Sequence, residues 1–69
     1  MPLTMARVGE KNLIKKVGGK SETKKFLGTL GFTVGGDVTI VSEMGGNIIV
    51  NIKDSRVAIS KEMANKILI

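Results

Sequence analysis

The sequence predicts a small, mainly β domain: a partly open barrel of five short strands with one helical insert. In the second half of the chain, apolar and polar residues alternate as they do in strands. Tight-turn residues interrupt the alternation, at Gly45-Gly46 and at Asp54-Ser55. Residues 21–31 instead have apolar residues at helical spacing and end on a glycine. A chain of 69 residues holds one domain, so we expect a single domain over residues 1–69.

The first strand is predicted over residues 11–17, after a lead-in that Leu3 anchors to the core. Ile14 and Val17 are three residues apart rather than two, which indicates a bulge or a strong twist within the strand. Gly18-Gly19 is expected to end it.

A short helix is predicted next, with Ser21 as its N-cap and Glu22 in the first turn, where the helix dipole favours a negative charge. Phe26, Leu27 and Leu30 form its apolar stripe, so we expect them to face the core.

Four glycines in this region have different expected roles. Gly28 costs helix stability, which suggests that another element packs close to its backbone. Gly31 lies where a left-handed glycine ends a helix, and the apolar Phe32 beyond it can fold back onto the helix. Gly35-Gly36 then turns the chain into the next strand.

From Asp37 onward the apolar period is two, which predicts three strands in succession. The turn between the last two, Asp54-Ser55, lacks the glycine that type I′ turns favour. Ser60 is expected to cap one helical turn over residues 61–65, and residues 66–69 form the last strand. The residues predicted to face inward from the three strands are Val38, Ile40, Ile48, Val50, Ile52, Val57 and Ile59.

The sequence positions of three methionines predict different environments for them. Met5 and Met63 are expected to fill gaps in the core, because the flexible methionine side chain adapts to irregular space. Met44 lies at a hairpin tip, where an exposed apolar side chain indicates either a contact surface or an ordinary surface methionine.

The net charge of +5 lies entirely in the first half of the chain. Residues 1–36 hold seven cations and two carboxylates, so 7 − 2 = +5, whereas residues 37–69 hold four of each. Such asymmetry favours an acidic protein partner, nucleic acid or an anionic surface. A solvated face that keeps a small protein soluble has the same composition.

The composition removes several chemistries. The chain has no histidine and no cysteine, so it lacks the commonest general base and the best zinc ligands. Its six carboxylates show no metal-ligand spacing. We therefore expect no enzyme activity, cofactor or metal site. The apolar runs are too short to cross a membrane, so a cytoplasmic protein without membrane insertion is expected. Met1-Pro2 is typical of a natural start, so we expect a complete small protein.

Two features of the sequence are related to nucleotide or nucleic-acid binding. Gly18–Ser21 matches only the GK[ST] end of a P-loop, because Ile14 stands where the first glycine belongs. A turn before a helix explains these residues better. The lysines also suit RNA, but both phenylalanines lie at predicted core positions, so stacking platforms are missing. RNA binding is therefore the alternative function, and it is disfavoured.

With its elements in order, the chain resembles the FeoA family of bacterial ferrous iron uptake. The most specific match is the L-x-x-L-G-(F/L)-x-x-G segment, which runs here from Leu27 through Leu30-Gly31-Phe32 to Gly35. The resemblance extends over nearly the whole chain. Its other residues are Pro2-Leu3, Gly9, Ile14, Gly18-Gly19, Val38–Val41, Gly45-Gly46-Asn47, Ile49-Val50, Arg56–Ile59, Ala64, Ile67 and Ile69.

The resemblance implies an SH3-like β-barrel without enzyme activity of its own. It also implies a partner, the membrane transporter FeoB, which carries a cytosolic GTP-binding domain. A similar barrel occurs at the C-terminus of the iron-dependent repressors. Because this chain has no helical DNA-binding part, no DNA binding is expected. The resulting hypothesis is a small cytosolic interaction protein of ferrous iron uptake that binds the cytosolic part of FeoB and modulates its assembly or activity.

The partner-binding surface predicted from the sequence combines a lysine-rich stretch with a hairpin tip and one arginine. Its residues are Lys15, Lys16, Lys20, Lys24, Lys25, Met44, Gly45 and Arg56. Stimulation of GTP hydrolysis in trans would need a cation, for which only Arg7 and Arg56 are available as arginines. Self-association is a further expectation, because small barrels with exposed strand edges can pair with copies of themselves.

Overall fold

The computed structural model describes residues 1–69, in six strands and two α-helices. A 3₁₀ turn at Leu3–Met5 precedes them. The elements in chain order are β1 (Lys11–Leu13), β2 (Lys16–Val17), α1 (Ser21–Leu30), β3 (Asp37–Met44), β4 (Asn47–Ile52), β5 (Ser55–Ser60), α2 (Lys61–Ala64) and β6 (Ile67–Leu68). No helix is both long and apolar enough to cross a membrane.

The strands form two antiparallel sheets, a four-stranded sheet in the order β1-β3-β4-β5 and a two-stranded sheet of β2 and β6. The first strand predicted from the sequence is divided between them. Ile14, in the break between β1 and β2, is fully buried. The predicted irregularity at this point is thus confirmed. The sheets do not close into a continuous barrel, and six strands replace the expected five.

Strands β3, β4 and β5 supply half of the core. Twelve residues are buried, all of them apolar. Six lie on these three strands and were all predicted to face inward, whereas Val57 is only half-buried. They are Val38, Ile40, Ile48, Val50, Ile52 and Ile59. The others are Leu3, Ile14, Leu27, Phe32, Ala64 and Ile67. The mainly β fold with one short helix is therefore confirmed.

Each of the two hairpins has a turn of two residues. Gly45-Gly46 joins β3 to β4 as predicted, with Gly45 at φ 59°. The turn between β4 and β5 is Lys53-Asp54, one residue earlier than the predicted Asp54-Ser55. Lys53 and Asp54 have φ of 48° and 65°, as a type I′ turn requires. A lysine thus occupies a position that glycine would fill more easily.

Helix α1 ends as the sequence predicts but begins differently. The Gly31 N–H donates to the Gly28 carbonyl and the Phe32 N–H to the Leu27 carbonyl, both at 3.0 Å, with Gly31 at φ 107°. This is the Schellman pattern, and Phe32 is buried behind it. The Ser21 N-cap prediction is wrong: Lys20 is the cap residue, and no side chain bonds to the first turn.

Three further predictions are wrong. Phe26 was placed in the core but is 52% exposed, because α1 turns only Leu27 fully inward. Met5 was expected to fill a core gap but is 67% exposed. Apart from its chain neighbours and the helix's own backbone, no atom lies within 4 Å of the position that a Cβ would take at Gly28, so no other element packs closely there.

The end of the chain closes against its beginning. Ser60 caps α2 as predicted, its Oγ accepting from the Met63 N–H at 3.2 Å. Met63 packs against the core. Beyond α2, β6 pairs with β2, and Leu68 also forms a bridge to Pro2. The Ile69 N–H donates to the Met1 carbonyl at 2.7 Å.

Candidate partner-binding surface

The basic segment, residues 15–25, runs from the start of β2 into the second turn of α1. It pairs with the end of the chain: the Lys15 N–H donates to the Leu68 carbonyl at 2.8 Å, and Lys16 lies opposite Leu68. Within this segment only Val17, Gly18 and Thr23 are partly buried. Its five lysines are all exposed, and they are Lys15, Lys16, Lys20, Lys24 and Lys25.

These lysines carry charge that no carboxylate of the chain neutralises. The single side-chain ion pair within 4.0 Å joins Lys11 to Asp37 at 3.7 Å, outside the segment, and both its side chains are exposed. Glu22 is the one acidic residue within residues 15–25, so the net charge there is 5 − 1 = +4. The segment is therefore suited to an acidic partner.

Phe26, which was predicted to face the core, instead extends the basic segment with an exposed aromatic side chain. It follows Lys25 directly and is 52% exposed. Thr23 and Leu30, four residues before and three after Leu27, are half-buried. The buried stripe is thus centred on Leu27. Neighbouring helical residues differ by about 100° in direction, so centring the stripe on Leu27 would have placed Phe26 at its edge.

The other predicted partner-binding residues do not form one patch with one another. Met44 and Gly45 lie at the tip of the β3–β4 hairpin, where Met44 is 66% exposed. Asn47, on β4, pairs with Met44, whereas Arg56 of β5 pairs with Asn51. Four residues along β4 separate these two positions, about 13 Å at the strand rise. The lysines are thus contiguous in the chain and all exposed, whereas the structure separates Met44 from Arg56.

A shallow polar groove crosses the outer face of the four-stranded sheet. Its floor includes a cross-strand row in which Lys11 pairs with Thr39 and Thr39 with Asn51. Two lysines and two aspartates lie around it, and no group of three metal-ligating side chains occurs in the structure. The groove is lined by Lys11, Asp37, Thr39, Asn51, Lys53 and Asp54. Such a mixed-charge surface suits polar contact rather than capture of one ion.

Comparison with known proteins identifies the family. The FeoA domain model matches residues 1–69. Putative Fe(2+) transport protein A of Methanocaldococcus jannaschii is 28% identical over 68 residues, which are 99% of this chain and 83% of that protein.

Solved structures of two related proteins share this fold. The solution structure of iron(II) transport protein A from Clostridium thermocellum has a TM-score of 0.92 at 26% identity, over 99% of this chain and 43% of that one. A crystal structure of an iron uptake regulatory protein, FeoA, has a TM-score of 0.89 at 24% identity. The match covers 97% of this chain and 91% of that one.

A manganese-dependent transcriptional repressor has the same fold over part of its length. Its TM-score is 0.86 at 17% identity, over 97% of this chain and 39% of that one. At this identity the likeness concerns the fold alone. The family model over the whole chain, together with the small SH3-like fold, shows that this chain belongs to the FeoA domain family of ferrous iron transport.

Proposed function

We propose that this protein is an interaction module that binds the cytosolic GTP-binding part of a FeoB-like transporter and modulates its assembly or activity. The observation that carries the proposal is the basic segment, whose five exposed lysines have no carboxylate partner within the chain. Membership of a ferrous iron transport family supports a transporter as the partner.

The proposed contact consists of the basic segment with Phe26 beside it. Exposed lysines attract an acidic partner and so raise the rate of association, and this increase becomes smaller as ionic strength rises. A half-exposed aromatic side chain can then be buried on contact and supply affinity that charge alone does not. Met44 and Gly45 at the hairpin tip, and Arg56 on the outer sheet face, are proposed as secondary contacts.

The direct test is a titration of ¹⁵N-labelled protein with the transporter's cytosolic domain, with and without nucleotide, at low and moderate salt. We expect resonances of residues 15–26 to shift most and affinity to fall as salt rises. Binding that leaves these resonances unchanged would contradict the proposed surface, and no binding in any condition would contradict the proposed function.

A pair of matched variants separates a local contact from net charge. K24Q/K25Q removes two charges from the basic segment, and K53Q/K61Q removes two exposed charges from elsewhere. Exposed ion pairs contribute about 0.2–1 kcal/mol each, so K24Q/K25Q should raise Kd about 2- to 30-fold. K53Q/K61Q should have little effect. Equal weakening by both variants would show that only the overall charge matters.

A second candidate function is binding of single-stranded RNA. The exposure of Phe26 favours it, because one aromatic platform lies beside lysines that can contact phosphates. A gel shift at physiological salt decides between the two. Binding of RNA that persists there and is lost in Phe26→Ala would support this second function, whereas binding confined to low salt would leave the transporter proposal in place.

A further inference from the structure

β5 has the longest free edge in the structure. It lies at one end of the four-stranded sheet, so β4 is its one paired strand. Among the backbone hydrogen bonds made outside helices and strands, none involves residues 55–60. The Arg56 and Ala58 residues are exposed, as expected for a strand edge open to solvent.

The register shows which backbone groups face outward. The residues that flank a two-residue hairpin turn exchange both hydrogen bonds, which here are Ile52 and Ser55. Bonded pairs then alternate along the ladder, so Val57 and Ile59 also bond to β4. The backbone N–H and C=O of Arg56 and Ala58 therefore point away from the sheet and have no partner in the chain.

The other strand edges are protected in ways that β5 lacks. β1 is three residues long, and the part of β3 that extends beyond β1 has a register shift between Ile40 and Ser42. β6 is flanked by β2 on one side and by the Pro2 bridge on the other. Proteins commonly protect edges by short strands, charges, prolines or bulges. β5 has six residues, one charge at Arg56, no proline and a regular register with β4.

We propose that β5 pairs with β5 of a second copy of this chain, antiparallel and about a two-fold axis. Four strands from each copy would form one sheet of 4 + 4 = 8 strands. With the axis at Val57 or at Ala58, Arg56 lies opposite Ala58 or Ser60 of the second copy. Neither register places like charges directly opposite each other, which is the arrangement that destabilises strand pairing.

The charge distribution favours a copy of the chain over an acidic partner at this edge. Residues 37–69 hold four cations and four carboxylates, a net charge of 0, although the whole chain carries +5. β5 lies in the four-stranded sheet and β2 of the basic segment in the other sheet, so pairing of β5 with β5 does not set two basic strands side by side. Pairing of single strands buries less than the roughly 1,200 Å² of a standard interface, so the association is weak.

The test is amide hydrogen exchange at about 0.05 mM and about 2 mM protein, a range that covers weak association. The amides of Arg56 and Ala58 should exchange more slowly at the higher concentration, while those of Val57 and Ile59 stay unchanged. Light scattering should show the mass rising from 7.3 kDa towards twice that value. Isotope-filtered cross-peaks between labelled and unlabelled copies should join residues of β5.

Variants at Ala58 test the edge itself. Ala58→Pro removes an N–H that β4 does not use, so it should abolish the concentration dependence while circular dichroism shows an intact fold. Ala58→Ser keeps the N–H and should self-associate normally. Ala58→Lys is a second variant in case proline disturbs folding. It places the new lysine opposite either the same lysine or Arg56 of the second copy, so it should also abolish pairing.

Three results would overturn the proposal: a mass of 7.3 kDa at every concentration, self-association that survives both Ala58→Pro and Ala58→Lys, or slowed exchange at Arg56 and Ala58 only when the transporter domain is added. The last result would assign the edge to a segment of the transporter. The K24Q/K25Q variant should pair normally, so failure here is distinguishable from failure of the transporter proposal.

Discussion

The strands β3–β5 and the helix α1 contribute very unequally to the core. The three strands bury six residues, whereas the ten residues of α1 bury one, Leu27. The helix nevertheless exposes Lys24, Lys25 and Phe26. In this small domain the three strands therefore supply half of the buried core, while the helix is held mainly at Leu27 and presents a surface. We expect substitutions in the sheet to change stability most and those on the exposed face of the helix to change it least.

The largest effect is expected from Ile40→Ala in the centre of β3. Ile40 is fully buried and pairs with Val50, so truncation leaves a cavity among packed strands. The loss should be about 2–5 kcal/mol in the free energy of unfolding, much of the stability of so small a domain. Urea denaturation followed by circular dichroism measures it. A loss below about 1 kcal/mol would show that the sheet is not the stability-determining part.

Gly31→Ala should destabilise the protein by about 1–2 kcal/mol through backbone strain. A Cβ at Gly31 would make only ordinary contacts, the nearest 3.5 Å from Lys53 Cδ, so the cost comes from its φ of 107°. Thermal unfolding should show a midpoint lower by roughly 4–16 °C. An unchanged midpoint would mean that α1 can end without the left-handed residue.

Gly28→Ala is the matched substitution inside the helix and should have the opposite sign. No atom lies within 4 Å of the added Cβ, and alanine favours a helix interior over glycine by about 0.8–1.0 kcal/mol. The midpoint of thermal unfolding should rise. A fall would reveal an element that packs on Gly28 in solution.

Phe26→Ala should change stability least and binding most. The side chain is half exposed, so its lost burial, about 1 kcal/mol, is offset in part by the better helix propensity of alanine. We expect a change within about 0.5 kcal/mol in unfolding. Calorimetric titration should show weakened binding to the transporter's cytosolic domain. Strong destabilisation with normal binding would reverse the roles assigned to sheet and helix.

Local signals in the sequence predicted the elements well. The end of α1 was predictable because a glycine and a following apolar residue specify a Schellman ending within six residues, from Leu27 to Phe32. The inward faces of β3–β5 followed from period-two alternation. The β4–β5 turn was misplaced by one residue because Lys53-Asp54 has φ values that its residue types seldom adopt.

Tertiary placement was the part that the sequence could not supply. The exposure of Phe26 depends on which side of α1 meets the sheet. The exposure of Met5 depends on where the 3₁₀ turn lies. Exposure of the lysines was predictable from their solvation cost alone. The free edge of β5 was not, because an edge is defined by which strands pair, and β1 rather than β5 pairs with the other side of β3.

The pairing of Pro2 with Leu68 and of β2 with β6 has a consequence for the time course of folding. These contacts join residues from opposite ends of the sequence, so they close long loops and carry a large entropic cost. When the chain folds, the β3–β5 hairpins can form between residues close in sequence, whereas β2 and β6 must meet from opposite ends of the chain. We therefore expect the two-stranded sheet to form late in folding.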